Sequence, residues 1–452
     1  MMNRRKFLLE AGGGMGALAF TSLEAATHHA PKAKRVISLF MSGGVSHMDT
    51  FDPKPALARY AGQPLSGKGD VVVRQGHPGP LMPSPFAFRR HGQSGLEVSE
   101  LFPKIGALCD EYALIRSAFS KSNDHVQAHY ALSSGQIRMG FPSLGAWVSY
   151  GLGSVNRDLP GYVVLYDQRG GPFGGPANWT SGFMPAAYQG TVFRSAGEPI
   201  LDLKPPAGMS GEEQRKRLEA LRKLNALDAS RTPSNTELAA RLESYELAYR
   251  MQSAAPEAVD LASESAATKE LYGLDEAHTE PFGRQCLMAR RLVERGVRFV
   301  QMYHGGLGIQ NLDTWDAHED VKTNHTRHAA ATDTPIAGLL TDLKARGLLA
   351  DTLVIWHGEF GRMPISQRGL GRDHNPGAMS IWMAGAGIRG GQVIGSSDEF
   401  GYKAEEQPVS VHDFHATILH LLGLDHTKLT YRFNGREMRL TDVYGTPVPQ
   451  LV

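Results

Sequence analysis

Short, uninterrupted runs of apolar residues recur along this chain and limit the folds that it can adopt. The runs lie at 35–40, 112–115, 161–166, 297–303, 353–356 and 379–384. A strand that is apolar on both faces must be covered on both faces, which is typical of a parallel sheet enclosed by helices. We therefore predict an α/β fold, a three-layer αβα arrangement around a mainly parallel central sheet.

Helical patterns fill the intervals between these runs. We expect helices at 101–115 (running into the second strand), 281–295, 333–347 and 411–422. The third should begin at Asp333, with Pro335 in its first turn, and should end at Gly347. Residues 211–274 carry leucines at helical spacing among many charges, which predicts a helical insertion that covers one side of the core without catalytic residues.

The first 30 residues are set apart from the fold. Arg4 and Arg5 precede a phenylalanine and a leucine, and a short Gly/Ala-rich run and small residues follow. This pattern resembles a twin-arginine export signal. We therefore expect a signal peptide at 1–30 that engages the export machinery, one domain at 31–452, and a periplasmic or cell-envelope location. No later apolar run approaches the length of a transmembrane span, so none is expected in the mature chain.

Composition excludes several classes of protein. The 47 basic and 46 acidic side chains are balanced, whereas a nucleic-acid-binding surface needs a basic excess. The only cysteines, Cys109 and Cys286, can form neither a disulfide framework nor a cysteine-based metal motif. We expect both to be buried as small apolar side chains.

Side chains that commonly bind metals follow four of the predicted strands. The loops hold His47 and Asp49, then His125 and His129, then Asp316 and His318, and finally Glu359, Asp373 and His374. Within one loop, such residues more often make turn hydrogen bonds than bind a metal. Four loops at one edge of a parallel sheet favour a shared cation, which offsets the repulsion among the carboxylates. We predict a divalent metal, with Zn, Ca, Mg and Mn left open, and as its ligands His47, Asp49, Asp316, His318, Glu359, Asp373 and His374.

Five motifs in this chain resemble those of a known family. They are Gly43-Gly-Val-Ser-His-Met-Asp-Thr-Phe-Asp-Pro-Lys-Pro55, Ser181-Gly-Phe-Met-Pro-Ala-Ala-Tyr-Gln-Gly-Thr191, Trp315-Asp-Ala-His318, Gly358-Glu-Phe-Gly-Arg362 and Gly371-Arg-Asp-His374. Together they resemble an exported, sulfatase-like bacterial family of unknown function within the alkaline phosphatase and sulfatase superfamily. The resemblance covers nearly the whole mature chain. It implies an alkaline-phosphatase-like αβα core with a divalent metal site at the strand ends.

The chain departs from the sulfatase pattern at its reactive position. Sulfatases carry a Cys or Ser nucleophile there, whereas this chain has His125 at the nucleophile position and His129 at the arginine position. A formylglycine mechanism is therefore excluded at that site. The paired aspartates that end the first sulfatase strand are also missing, and His47 and Asp49 are candidates to replace them as ligands.

Two mechanisms and two functions remain open at this point. In the first mechanism, a metal-bound water attacks a phosphate or sulfate ester, with His125 as general base or ligand and Arg362 or Arg372 holding the anion. In the second, His125 itself attacks. We predict a hydrolase of small-molecule or glycan esters that uses the first mechanism, with catalytic roles for His125 and Arg362 and substrate binding by His129 and Arg372. The alternative function is a non-catalytic scaffold that binds a ligand or partner at the cell surface, and the alternative role of Arg362 is a salt bridge to Glu359 or Asp373.

Histidines near the end of the chain invite a simpler interpretation. We expect His412 and Asp413 to cap the last helix, and His415 and His420 to lie on its surface or flank. His304 ends a predicted strand and is a weaker candidate for the cleft.

Overall fold

The computed structural model describes residues 27–69, 71–167, 169–194, 199–200, 208–231, 236–306 and 313–452. Most of the predicted export signal, residues 1–26, lies outside these ranges. Within them, no helix has both the length and the apolar character that crossing a membrane requires.

Nine strands of the described chain form one central sheet. In chain order they are β1 (Arg35–Met41), β2 (Tyr112–Phe119), β3 (Tyr162–Tyr166), β4 (Thr191–Arg194), β5 (Phe299–His304), β6 (Thr352–His357), β7 (Met379–Ala384), β8 (Val393–Ile394) and β9 (Val409–Ser410). Across the sheet the order is β8-β2-β7-β6-β1-β5-β3-β4, and β9 also pairs with β2. Only β7 is antiparallel to its neighbours; all the other pairings in this sheet are parallel.

Ten α-helices and five two-stranded sheets accompany the central sheet in the described chain. The α-helices are α1 (Pro55–Arg59), α2 (Pro103–Ala107), α3 (His125–Ser134), α4 (Leu144–Leu152), α5 (Gly211–Arg231), α6 (Thr236–Val259), α7 (Ala266–Leu271), α8 (Glu280–Glu294), α9 (Val321–Ala345) and α10 (Val411–Leu421). Two-stranded antiparallel sheets pair Pro78–Leu81 with Ile365–Gln367, Phe88–His91 with Leu96–Ser99, Gly361–Arg362 with His374–Asn375, Ser396–Ser397 with Ala404–Glu406, and Tyr431–Phe433 with Arg436–Met438.

The alternation of side chains along β1 explains why its sequence is apolar throughout. Ile37 and Leu39 point into one core cluster, whereas Val36 and Phe40 point into the other. Successive side chains of a strand face opposite sides of the sheet, so a strand covered on both sides needs apolar residues at both parities. The structure thus confirms the predicted three-layer α/β fold with a mainly parallel sheet.

Different helices cover the two faces of the sheet. Residues of α2, α6, α8 and α9 share a core cluster with Ile37, and residues of α3, α4 and α10 share one with Phe40. Helices α5 to α7 fall within the predicted insertion at 211–274. From it, α6 contributes Met251, Ala255 and Ala258 to the first of these clusters.

The helix predicted to begin at Asp333 begins twelve residues earlier, so that prediction is wrong. Its N-cap is Asp320, whose carboxylate accepts hydrogen bonds from the backbone of Lys322 (2.8 Å) and Thr323 (3.2 Å), and Pro335 lies inside the helix. Asp333 instead accepts hydrogen bonds from the backbone N–H groups of Lys104 (2.9 Å) and Ile105 (2.8 Å). The capping residue therefore serves the first turn of α2, a different helix from the one its sequence position suggests.

Three further expectations need correction. The helix expected from 101 is shorter than predicted: it forms α2 and a 3₁₀ turn at Cys109–Glu111, and the strand expected near 112–115 follows as β2. In α10 the cap is Ser410 in a capping box with Asp413 rather than His412. His415 is buried, not on the surface, because α10 packs against α3, and its Nε2 lies 2.8 Å from the carbonyl oxygen of Leu132. Both cysteines are buried, as predicted.

The parallel strands bring four loops to one edge of the sheet. Strands β1, β2, β5 and β6 run in the same direction, so the loops that follow them meet beyond their carboxyl ends. These are the loops in which the sequence places most of its imidazoles and carboxylates.

Candidate metal centre

Four side chains converge beyond the carboxyl ends of the central strands. They are His125, Asp316, His318 and His374, and one ligand atom from each lies within 4.8 Å of the others. His125 begins the helix after β2, Asp316 and His318 follow β5, and His374 lies in the hairpin beyond β6. This is the only such group of histidine, cysteine or carboxylate ligands in the described part of the chain.

Three atoms at the centre of this group are closely packed. His318 Nε2 lies 2.8 Å and His374 Nε2 lies 3.2 Å from Oδ1 of Asp316, and the two nitrogens are 2.9 Å apart. All three side chains are mostly or fully buried, since the exposed fraction is 11% for Asp316, 7% for His318 and 2% for His374. Such spacing needs positive charge or a proton between the three atoms.

The hydrogen-bond partners of the two Nδ1 atoms show which nitrogen of each imidazole carries the proton. His374 Nδ1 lies 2.6 Å from the carbonyl oxygen of Asn123, which can only accept. His318 Nδ1 lies 2.6 Å from Oε1 of Gln367, whose amide nitrogen donates to the carbonyl of Gly76 (3.2 Å), so its oxygen faces the histidine. Each Nδ1 is therefore the donor, and in the neutral ring each Nε2 presents a lone pair to the centre.

His125 approaches from the first turn of α3. Its Nδ1 lies 2.7 Å from Oε1 of Glu359 and its Nε2 lies 3.2 Å from Oδ2 of Asp316. Burial alone would lower the pKa of His125, but the hydrogen bonds and negative charges of these two carboxylates outweigh it and raise the pKa to about 9. His125 therefore lies between two carboxylates and carries a proton when nothing else offsets their charge.

Glu359 is a buried carboxylate held by partners from the loop after β1 and from helix α3. Gly43 donates its backbone N–H to it (2.9 Å), and His129, one helical turn after His125, lies 3.4 Å from Oε1. Burial would raise the pKa of Glu359, but His129 and His125 hold it far below its usual range. The pKa of His129 is lowered by burial despite this neighbour. Glu359 therefore remains ionised and orients His125.

The charge of Asp316 is also maintained. Burial would raise its pKa, but the Arg362 guanidinium and the hydrogen bond from His125 hold it well below its usual range. The pKa of His374 is lowered to about 4 by burial, which outweighs the neighbouring negative charge of Asp316. At neutral pH the centre thus combines an ionised carboxylate with a neutral His374, which is the state in which such groups bind a metal.

The two arginines expected to hold an anion are both fully buried. Arg362 donates to the carbonyls of Gly44 (2.7 Å) and Arg372 (3.0 Å), and among the described residues its carboxylate partner is Asp316 (2.7 Å). It forms neither of the two salt bridges that the sequence suggested. Arg372 forms an ion pair with Asp49 at 2.7 Å and donates to backbone carbonyls, including that of Met363 (3.2 Å). Both side chains thus hold loops of the site together.

Four of the predicted ligands lie outside the group of four. His47 directs Nε2 to the carbonyl of Gly401 (2.8 Å), and Asp49 is held by Arg372. Asp373 accepts backbone hydrogen bonds from Arg74 (2.7 Å) and Gln75 and lies 4.0 Å from Nδ1 of His318. Glu359 is not a member of the group but is hydrogen-bonded to His125, which is. His304 accepts a hydrogen bond from the indole N–H of Trp315, within the core.

Two aromatic rings form walls beside His125. Phe173 stacks on its imidazole with ring centroids 4.1 Å apart, and the Phe360 ring lies 5.0 Å away and also contacts His374. His125 and Asp316 are the most exposed members of the group, each with 11% of its side chain accessible. These two residues are therefore the part of the group nearest to solvent.

Sequence reasoning did not identify several partners of the centre. Gln367, Asn123 and Phe173 carry no recognisable motif, because their roles depend on contacts with residues distant in the chain. One signal was available: His125 and His129 are four residues apart, which places both on one face of a helix, and both reach Glu359.

Comparison with known proteins identifies the family. A family model described as a protein of unknown function (DUF1501) matches residues 33–452. The chain belongs to this family. The match includes every strand of the central sheet and all four members of the metal centre, in agreement with the family of unknown function that the motifs predicted. No curated protein matches the sequence.

Solved structures similar to this chain include three of different kinds. The PsFucS1 sulfatase from Pseudoalteromonas sp. is 14% identical, with a TM-score of 0.37 over 93% of this chain and 72% of that one. The lipoteichoic acid synthase LtaP from Listeria monocytogenes is 9% identical, with a TM-score of 0.41 over 94% and 80%. The alkaline phosphatase from the Antarctic bacterium TAB5 is 12% identical, with a TM-score of 0.34 over 82% and 96%. At such TM-scores these likenesses support no conclusion about the activity of this chain.

Proposed function

We propose that this chain is an exported, divalent-metal-dependent hydrolase of phosphate or sulfate esters. The observation that carries the proposal is the meeting of His318 Nε2, His374 Nε2 and Asp316 Oδ1 within 3.2 Å of one another, with both Nδ1 atoms engaged by acceptors. Two inward lone pairs and a carboxylate oxygen at this spacing are a ligand set that a divalent cation would satisfy.

The chemistry of the donors favours one class of metal. Imidazole nitrogen suits zinc and other first-row transition metals, whereas Ca²⁺ and Mg²⁺ prefer sets made only of oxygen. With two or three imidazoles for one carboxylate, the site fits zinc or a similar ion. A cation of this class supplies Lewis acidity and lowers the pKa of a neighbouring water toward about 7.

His125 has the geometry of a general base in this proposal. Its Nδ1 is oriented by Glu359, and its buried Nε2 lies 3.2 Å from Oδ2 of Asp316. A bound cation that offsets the charge of Asp316 would lower the pKa of His125 and leave Nε2 able to accept a proton. The attacking water gives a proton to Nε2 as its oxygen bonds to phosphorus or sulfur, and the same nitrogen returns that proton to the departing ester oxygen. Attack by water requires no protein nucleophile, and no member of the group is a serine or a cysteine. The ester class itself comes from the sequence resemblance to sulfatases and phosphatases.

Metal content and turnover, measured together, test this proposal. Full-length protein purified by its native export route is analysed for bound metal and assayed with aryl sulfate and aryl phosphate. We expect about one equivalent of transition metal and turnover of at least one ester. His374→Ala should lose both, and His125→Gln should retain metal and lose turnover. The exposed His278→Ala is the control and should retain both. Turnover that survives complete metal removal would contradict the proposal.

A second candidate is a scaffold that binds without catalysis. It is favoured by one observation: with His125 the group offers four protein ligands, and four-coordinate sites without an open position are typical of structural zinc. In that case the protein would hold its metal and turn over neither ester. His125→Gln would then weaken metal binding, whereas a general base at this position leaves it nearly unchanged.

Export is part of the proposal and rests on Arg4 and Arg5. A variant with both changed to lysine should remain in the cytoplasm, while a variant with Arg89→Lys should be exported as the unchanged chain is. Fractionation of cells that express each form measures the difference. Export of the double variant at the normal level would contradict a twin-arginine signal.

A further inference from the structure

Residues 74–76, just before the strand Pro78–Leu81, contact residues that lie next to the metal centre. The backbone N–H groups of Arg74 and Gln75 donate to Oδ2 of Asp373, at 2.7 and 2.9 Å. Two residues further on, the carbonyl of Gly76 accepts from Gln367, which also orients His318. This segment is therefore attached to residues that adjoin or orient two of the metal ligands.

The side chain of Arg74 contacts a second residue next to the metal centre. Its guanidinium donates to Oδ2 of Asp124 at 2.8 Å, and Asp124 immediately precedes His125. With its backbone on Asp373 and its guanidinium on Asp124, Arg74 spans the gap between the neighbours of His374 and His125. Its side chain is 48% exposed, so part of the guanidinium faces solvent.

Other arginines around the centre are less available. Arg362 and Arg372 are fully buried, and their guanidinium groups donate to backbone carbonyls and to Asp316 or Asp49. Arg169 donates through two nitrogens to Asp167 and also pairs with Asp313. Arg74 has a single carboxylate partner in the described structure, and that partner also receives a backbone hydrogen bond from Gln127.

We propose that Arg74 binds the anionic group of the ester substrate at this site, exchanging Asp124 for the substrate. The inference rests on the proposed function and adds to it the residue that recognises substrate charge. The carboxylates Asp316 and Glu359 repel an anion that approaches the bound metal, and a positive side chain beside Asp124 and Asp373 would reduce this repulsion. A guanidinium also offers forked donors that match sulfate and phosphate oxygens. Asp124 keeps its helix-capping contact with Gln127 after the exchange.

Steady-state kinetics with the full chain test this inference. Arg74→Gln should raise KM for aryl sulfate or aryl phosphate by about tenfold or more, a larger change than any fall in kcat, because a charge-assisted hydrogen bond to the substrate is lost. Arg74→Lys should recover part of the affinity. The control, Arg89→Gln, changes an exposed arginine on the separate hairpin Phe88–His91 and should leave KM unchanged. An unchanged KM in a folded, metal-loaded Arg74→Gln protein would overturn the inference.

A binding measurement separates this inference from the proposed function. Inorganic sulfate and phosphate are titrated calorimetrically into the metal-loaded chain and into Arg74→Gln. If neither ester is turned over but the unchanged chain binds an anion about tenfold more tightly than the variant, the hydrolase proposal fails and the assignment of Arg74 stands. Equal anion binding by both proteins would overturn the assignment, whether or not esters are hydrolysed.

Discussion

At the scale of single residues, one oxygen of Asp316 lies close to three side chains. Arg362 donates to Oδ1 at 2.7 Å, and the Nε2 atoms of His318 and His374 lie 2.8 and 3.2 Å from the same atom. The two imidazole nitrogens direct lone pairs toward the ionised oxygen of Asp316. The Arg362 guanidinium alone does not offset the electron density of these three atoms. This is the physical basis for placing a cation between them.

We expect Asp316→Asn to bind the metal far more weakly while the fold is retained. The amide has nearly the same shape as the carboxylate, but it lacks the charge that attracts a divalent cation. The loss should exceed the roughly 10–100-fold typical of an outer partner. Competition with a chromophoric chelator measures the affinity. Asp313→Asn, in the same loop and paired with Arg169, is the matched control and should bind metal normally.

The outer partner of His318 allows a second test. We expect Gln367→Leu to weaken metal binding by about 10–100-fold, because His318 Nδ1 loses the acceptor that fixes its tautomer. Gln367→Glu keeps an acceptor at that position and should preserve binding. The same chelator competition applies to both variants. Equal affinities for the leucine variant and the unchanged protein would show that Gln367 does not orient the ligand.

At the scale of elements, helix α9 shows how a cap can be assigned to the wrong helix. Asp333 precedes a proline, as a helix start often does, yet it lies in the middle of α9 and caps α2. The actual start is Asp320, which has no proline after it. A sequence pattern identifies a residue suited to capping, but packing decides which helix end comes within its reach.

Removing the actual cap should destabilise the protein measurably. We expect Asp320→Ala to lower the free energy of unfolding by about 1 kcal/mol, because two backbone N–H groups of α9 lose their acceptor. Asp320→Ser retains a capping oxygen and should cost less. Urea denaturation measures both. If the two variants are equally stable, the cap contributes nothing to the stability of α9.

At the scale of the whole molecule, the core contains histidines that are neutral when folded. Burial lowers the pKa of His304 and His357 to about 4 and that of His325 and His415 to about 3. An unfolded histidine has a pKa of about 6.5, so the unfolded chain takes up protons that the folded chain refuses. These histidines therefore favour unfolding as the pH falls below about 6.5, and they have little effect above it.

We expect stability measured with the metal removed to fall as the pH is lowered from 7 to 5. Each such histidine contributes about 2 kcal/mol to the loss, since its folded pKa lies well below this window. His415→Gln can still donate to the carbonyl of Leu132 but does not titrate, so its stability should depend less steeply on pH. Urea denaturation at both pH values, in the presence of a chelator, provides the comparison. Identical pH dependence in both proteins would contradict the assignment to His415.

The sequence alone determined the sheet and the loops that carry the site. A strand that is buried on both faces needs apolar residues along its whole length. The runs of β1, β5 and β6 can therefore be recognised in the sequence without any tertiary information. Parallel strands then bring their carboxyl ends to one edge, whatever the details of packing. The prediction of an α/β fold with imidazoles and carboxylates at that edge follows from these two facts.

Only the tertiary structure decided which of those side chains meet. His47 and Asp49 follow β1 much as Asp316 and His318 follow β5, but Asp49 pairs with Arg372, 323 residues away, and His47 turns to the carbonyl of Gly401. The buried arginine and the carbonyl satisfy these groups first, and neither contact leaves a trace in the local sequence. A polar side chain in a buried loop takes whichever partner packing places within reach, and that depends on the whole chain.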